Sequence, residues 1–288
     1  MRLISELSFR LKLLVGLLII GYGSLCAAQT NPPKGSLFII GGGDRSPELI
    51  ETLVRTAKLG AKDYVVVLPM SSVEPEASFK AIEVQIARAT KSKIGNLNFD
   101  ASKVQDKKWL DSLRGARLIF ITGGDQNRFM KIVRNTPVYE AIHAAYTNGA
   151  TVAGTSAGAA VMSKFMITGK QLQDTVYKDT FDRLRAGNIE FEPGMGLVTS
   201  VIIDQHFLKR SRYNRLISAL AAHPSFDCIG IDEGTAIIIQ GKHVTVAGVS
   251  QVVRITDPKN LKITAKHLLK MDGMQFRLYT AGDQFNLK

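Results

Sequence analysis

Cysteine is nearly missing from this chain of 288 residues: Cys26 and Cys228 are the only two. A framework of several disulfides and a cysteine-rich zinc site are therefore both excluded. A long apolar run is also missing, because the stretch 13–22 is about half the ~20 residues that a membrane-spanning helix needs. Neither repeats nor low-complexity tracts interrupt the sequence, and 45 % apolar with 22 % charged residues excludes disorder. Glycine-rich turns occur, but none continues into the Gly-Lys-Ser/Thr of a phosphate loop. Acidic residues are outnumbered, with 37 Lys+Arg against 25 Asp+Glu for a net charge of +12. That sign attracts anionic partners but says nothing about fold. The basic cluster Lys259, Lys262, Lys266, His267 and Lys270 has no interleaved aromatic side chains on which bases could stack, so it reads as a solvated face and nucleic-acid binding is not expected.

Residues 1–28 have the three-part layout of a secretory signal: Arg2, Arg10 and Lys12, then the short apolar run, then Cys26-Ala27-Ala28. Cleavage near Ala28 is expected, leaving a secreted or periplasmic protein with no membrane anchor. Lipidation of Cys26 is disfavoured because Leu25 stands where a small residue is needed. Cys228 sits beside Ile229 and reads as a buried core thiol.

From residue 36 onward, short β-rich runs alternate with segments of helical spacing. Strands are predicted at 37–40, 64–68, 118–122, 151–153, 201–203, 236–239, 244–246 and 252–255. Helices are predicted at 47–59, 79–93, 128–134, 138–147 and 213–222. Ser46-Pro47 is a helix start, a capping hydroxyl followed by a proline whose missing N–H costs nothing there. The pattern predicts one α/β domain over 29–288, a mostly parallel sheet with helices on both faces and hairpin strands near the C-terminus.

Gly154-Thr155-Ser156-Ala157-Gly158 fits G-x-S-x-G between a strand and small residues that can begin a helix. A serine on such a turn is presented at the carboxyl end of its strand, where α/β sheets place ligands. It needs a base, and the base needs an orienting acid. Of the five histidines, His143, His223 and His267 read as surface or capping residues. His206, at a polar strand end after Asp204-Gln205, is favoured over His243 in a hairpin, with Asp232 or Glu233 as the acid. An esterase of α/β-hydrolase type would require His243 instead. The turns Gly41-Gly42-Gly43 and Gly123-Gly124 can aim backbone N–H groups at a ligand. An oxyanion hole of such an amide, Gly124, with that of Ala157 is expected. Arg210, Arg212 and Arg215 follow His206 and suit bidentate capture of carboxylates.

These pieces together resemble peptidase family S51, and within it the cyanophycinases more than the shorter aspartyl dipeptidases. The resemblance rests on Gly41-Gly42-Gly43, Thr122-Gly123-Gly124-Asp125-Gln126, Gly154 to Ala159, Ile203-Asp204-Gln205-His206-Phe207 with the three arginines, and Gly230 to Ala236, in family order. It implies a sheet like that of class I glutamine amidotransferases and a triad of Ser156, His206 and Glu233. Substrate-pocket positions fall on Gln126, Asp204, Gln205, Arg210, Arg212 and Arg215. The implied substrate is a β-linked Asp-Arg polymer or peptide, with cyanophycin, a poly-aspartate bearing arginine on each β-carboxyl, foremost. Asp204 would then meet the pendant guanidinium. A homodimer, no metal and no organic cofactor are also implied. The segment 168–199, with Lys170, Asp174, Lys178, Asp179, Asp182, Arg183 and Arg185, matches no family motif and is expected to cover the site. An isoaspartyl dipeptidase, or a non-catalytic surface protein binding an acidic polymer, are the rival readings.

Overall fold

Continuous apolar strands such as Leu37-Phe38-Ile39-Ile40 demand cover on both sides, and the chain supplies it. In the computed structural model, Leu37 and Ile39 face one core while Phe38 and Ile40 face a second core across the same sheet. The structure describes residues 32–288 except 174, 175, 177–179 and 181, and Pro33–Lys288 forms one compact unit. The signal-like segment 1–28 with Cys26 lies outside the described residues, as do Asp174, Lys178 and Asp179.

The main sheet has eight strands in the order β3 (Lys93–Asn96), β2 (Tyr64–Leu68), β4 (Leu118–Ile121), β5 (Thr151–Thr155), β1 (Ser36–Ile40), β10 (Thr235–Gln240), β11 (His243–Gly248) and β16 (Gln284–Asn286). The first five are mutually parallel, and the last three add antiparallel edges. From β1 the chain moves outward to β2 and β3, with α1 (Pro47–Ala57) and α2 (Pro75–Ala89) packed on one face. It then returns to β4 and β5, with α3 (Lys107–Arg114), α4 (Gln126–Val133) and α5 (Pro137–Thr147) on the other face. Right-handed crossovers require this: reversing the direction of travel across a parallel sheet moves the helices to its opposite side. The start of α1 is as the sequence predicts, with Ser46 Oγ accepting from the Leu49 amide at 3.3 Å ahead of Pro47.

The 201–203 and 252–255 runs do not join that sheet, as one continuous sheet would require. They lie in a second, four-stranded sheet of β8 (Val201–Gln205), β9 (Asp227–Ile231), β12 (Val252–Lys259) and β15 (Gly273–Tyr279). One face of it, through Val201, Ile203, Ile229, Ile231 and Val252, completes the larger core. The other carries α7 (Tyr213–Ala222), whose Leu216, Ala219 and Leu220 cover Ile202, Cys228 and Val253. Cys228 is fully buried and free, and burial pushes its thiol pKa up. Two small ribbons, β6 (Phe165–Gln171) with β7 (Ile189–Pro193) and β13 (Lys262–Ile263) with β14 (Leu269–Lys270), complete the described strands. The two main sheets meet where the chain passes from β9 to β10 through Asp232-Glu233-Gly234, and the site lies at that crossing.

Candidate active site

The carboxyl ends of β1, β4 and β5 open on one edge of the main sheet. Ser156 stands there, between β5 and the single turn α6 (Ala157–Ala160), at φ 53° and ψ −108°. This is a conformation that L-residues avoid, and the surroundings enforce it. The Ser156 amide donates to the Ile40 carbonyl at 3.0 Å, while the Ser156 carbonyl accepts from Ala159 and Ala160. The flanking glycines are obligatory. A Cβ at Gly154 would fall 2.2 Å from the Gly158 carbonyl oxygen, and one at Gly158 would fall 2.3 Å from that of Ile121.

His206 arrives from the second sheet. Its amide donates to the Gly41 carbonyl at 2.8 Å, and a φ of 50° turns its ring toward the serine. Nε2 lies 2.9 Å from Ser156 Oγ, and Nδ1 lies 2.6 Å from Glu233 Oε1. A carboxylate can only accept, so the neutral imidazole carries its proton on Nδ1 and offers the Nε2 lone pair to the serine hydroxyl. Burial holds the His206 pKa below the ordinary histidine value. The charges of Arg210 and Arg212 push the same way, and the bond to Glu233 opposes them. The imidazole is therefore unprotonated at neutral pH, the state in which it can take a proton.

Between the two carboxylates that the sequence leaves open, contact decides. Asp232 Oδ1 accepts from the Lys209 amide at 2.9 Å and Oδ2 accepts from Ser250 Oγ at 2.7 Å, so it ties two loops together while Glu233 faces the imidazole. His243 pairs with Gln240 at the far end of the β10–β11 hairpin, a strand length from this edge, and the esterase arrangement fails.

Several expected pocket residues are placed elsewhere. Asp204 is fully buried and accepts from Arg215 Nε at 2.8 Å and from Arg215 Nη2, so it is not open to a substrate guanidinium. Arg215 and Arg212 are buried as well, and Arg212 Nη1 donates to the Gln205 carbonyl at 2.7 Å. These groups lock the end of β8 from beneath, because charges sealed from water must be satisfied internally. Gln205 is buried next to them. Gln126 is buried too, with Nε2 donating to the carbonyls of Ile167 and Thr168 at 3.0 and 2.8 Å, which anchors β6. Arg210 alone of the three arginines is exposed, beside His206. At Gly123 an ideal Cβ would stand 3.5 Å from Ser156 Cβ, so the glycine turn after β4 runs alongside the serine. Gly124 in that turn has φ +135°, and the Asp125 amide pins the turn to the Ser71 carbonyl at 2.8 Å. Ala157 is the buried first residue of α6.

The sequence reading missed Gly42 and Gly43 as the floor of the site. A Cβ at Gly42 would lie 2.3 Å from His206 Cε1, and one at Gly43 would lie 2.7 Å from Glu233 Cβ. The signal was visible, since three glycines end the strand that neighbours β5, but it pointed to backbone amides aimed at a ligand rather than to clearance. Among the described residues no group of three or more His, Cys, Asp or Glu side chains is arranged to hold a metal ion.

The model of Peptidase family S51 matches residues 37–247. The chain belongs to peptidase family S51. Cyanophycinases of Trichormus variabilis and Geminocystis herdmanii are 34 % and 30 % identical over 268 residues. Those alignments cover 88 % of this chain and 86 % and 94 % of the relatives. A peptidase E of Actinobacillus pleuropneumoniae is 26 % identical over 230 residues, 75 % of this chain and 90 % of its own. A solved peptidase from an acI-B1 Actinobacterium superposes with a TM-score of 0.64 at 21 % identity, covering 88 % of this chain and 98 % of that one. A putative peptidase E from Listeria monocytogenes superposes with a TM-score of 0.51 at 18 % identity, over 75 % of this chain and 99 % of the other. The fold is that of S51 peptidases, and the protein is a serine-type peptidase.

Proposed function

We propose that Ser156, His206 and Glu233 act as a triad that hydrolyses cyanophycin or a closely related β-aspartyl peptide through an acyl-enzyme. The observation that carries the reading is the pair of contacts at His206, 2.9 Å to Ser156 Oγ and 2.6 Å to Glu233 Oε1. Ser156 Oγ attacks the carbonyl carbon while His206 Nε2 takes its proton, and Glu233 steadies the imidazolium that forms. Negative charge collects on the former carbonyl oxygen, where the amides of Ala157 and Gly124 would receive it. The intermediate collapses as the imidazolium returns its proton to the leaving amine. Water then enters, gives a proton to Nε2 and attacks the ester carbon, and as the acyl C–O bond breaks Nε2 returns that proton to Ser156 Oγ and the carboxylic acid product leaves.

Two features support the substrate class. The relatives at 34 % and 30 % identity, matched over most of both chains, are cyanophycinases. Arg210 also leaves an exposed guanidinium beside the triad, placed for a substrate carboxylate. Releasing β-Asp-Arg dipeptides from that polymer cuts the backbone amide between successive aspartates and leaves the β-linkage intact in the product. The chain also matches a relative named peptidase E, so cyanophycinases are not its sole kin, and the second reading is a dipeptidase for β-aspartyl dipeptides. We place the enzyme outside the cytoplasm after cleavage near Ala28, which N-terminal sequencing of the exported chain checks. The decisive experiment is a panel of the polymer, β-Asp dipeptides and ordinary α-peptides, with Ser156→Ala as blank. Release of β-Asp-Arg by the native protein alone supports the assignment. Turnover retained by Ser156→Ala overturns it, and turnover of β-Asp dipeptides without polymer selects the second reading.

A further inference from the structure

On the face of the second sheet that α7 covers, three side chains that a folded protein would ordinarily cover stay open. Tyr213 is 37 % exposed, Phe276 46 % and Leu278 50 %. They form one ledge. In the β12–β15 pairing Phe276 stands opposite Ile255 and Leu278 opposite Val253, so both point to the face that α7 covers. Tyr213 opens α7, and its ring lies 6.5 Å from that of Phe276, 22° from parallel. The ledge joins the triad through one more ring. Phe207, fully buried directly after His206, meets Tyr213 at 4.9 Å between centroids, and a Cβ at Gly230 would collide with the Phe207 ring. In the turn between His206 and Tyr213, Lys209 and Arg210 are exposed.

We propose that this ledge is a second binding site for the polymeric substrate, holding units of the chain distant from the bond being cut. The proposal rests on the cyanophycin reading above. Each unit of poly-aspartate with arginine on its β-carboxyl carries one guanidinium and one carboxylate. Guanidiniums stack on exposed aromatic faces such as those of Tyr213 and Phe276, and carboxylates pair with cations such as Lys209 and Arg210. An acidic polymer without pendant cations would use the lysine and arginine and leave the rings idle. An apolar protein partner would leave the cations idle. The substrate uses both, and Arg210, in the turn that leads to Tyr213, stands beside His206 of the triad.

Distance sets a length requirement. β15 lies three strands from β8, about 15 Å at the usual strand spacing, and Phe276 is three residues below the edge that carries His206. An extended chain advances about 3.5 Å per residue, so roughly five or six units separate the scissile bond from Phe276. A two-unit substrate cannot reach Phe276.

The test compares two substrates, two units and roughly twenty units of poly-aspartate with arginine on each β-carboxyl, a length chosen to exceed the span above. The full chain is used as native protein, as Phe276→Ser and as Tyr213→Ser/Phe276→Ser, with thermal melting and light scattering on each. The expected result is a KM for the long substrate raised about tenfold in the double variant, the size of two exposed cation–π contacts, with kcat unchanged and the two-unit kcat/KM within about twofold. Phe276→Ser, a surface change on an edge strand, carries the comparison if the double variant melts early. Equal losses on both lengths overturn the proposal, as does no loss on either. Dissociation of an oligomer with the long-substrate KM retained also overturns it and makes the ledge an interface between copies. If the native protein cuts neither length, the substrate assignment falls and takes the ledge with it. Cleavage of both lengths with insensitive variants sinks the ledge alone.

Discussion

Gly42 lies under the imidazole of His206 with no room to spare. A Cβ there would sit 2.3 Å from Cε1 and 2.5 Å from Nε2, the nitrogen that faces Ser156. The ring cannot retreat, because Glu233 holds its other nitrogen and Phe207, next in the chain, is sealed in the core. The backbone of β1 therefore fixes the imidazole plane by contact, and glycine at φ +119° is the only residue that fits.

Gly42→Ala is thus expected to displace the imidazole by a large fraction of an ångström and lower kcat on the order of 100-fold. Gly241→Ala is the control, since Gly241 also has positive φ, +60°, but a Cβ there meets nothing within 4 Å. It should cost about 1 kcal/mol of stability and no activity. Steady-state rates and melting curves on the two proteins check this, and equal rates for both would refute the contact argument.

Strain at Ser156 makes a second prediction. Ser156→Ala and Ser156→Gly both lack the hydroxyl, but only alanine retains the Cβ that makes φ 53°, ψ −108° unfavourable. Relief of that strain, less the extra freedom of glycine in the unfolded chain, should make Ser156→Gly about 1 kcal/mol more stable than Ser156→Ala. Chemical denaturation compares them, and an alanine variant as stable as the glycine variant would mean the turn stores no strain.

Much of this site is legible from local pattern. Gly154, Ser156 and Gly158 announce a turn whose purpose follows from their spacing, and Asp204-Gln205-His206 marks a polar strand end. What local pattern cannot carry is depth. Arg212 and Arg215 have the spacing of an exposed helical face, yet both are buried, held by Gln205 and Asp204 at the end of β8 in the second sheet. That sheet pairs β12 with β9 and β15, contacts between segments far apart in sequence, and β15 shows only a short alternation before the partner strand is known. The same limit hid the choice between Asp232 and Glu233, adjacent residues that point into different loops.

The acidic limb of the pH–rate profile reports His206. Activity requires the neutral ring, and burial with the nearby arginines depresses its pKa, so kcat/KM should hold to a pH below the ordinary histidine value before falling. Arg210→Ala removes one of the charges that disfavour protonation, and the limb should move to higher pH. Raising salt on the native protein should shift it the same way, because Arg210 is exposed and its field is screened. A limb that moves to lower pH in the variant would contradict the assignment of His206 as the base.

Asp204 separates a scaffold from a substrate contact. It has no exposed surface, accepts from both Arg215 Nε and Nη2, and takes the Gln205 amide at 2.8 Å. Asp204→Asn keeps the shape but takes the carboxylate charge out of its two bonds to the Arg215 guanidinium, and breaking a buried ion pair costs about 3–5 kcal/mol. For a chain of this size that is about 10 °C in melting temperature. Since Arg212 and Gln205 hold the segment carrying His206, kcat should fall with it while KM moves little. A substrate-binding carboxylate would behave the opposite way, with KM raised and melting unchanged. Thermal melting beside steady-state kinetics on Asp204→Asn and Arg210→Ala tells the two apart, because Arg210, exposed and at the mouth of the site, should raise KM without lowering the melting temperature.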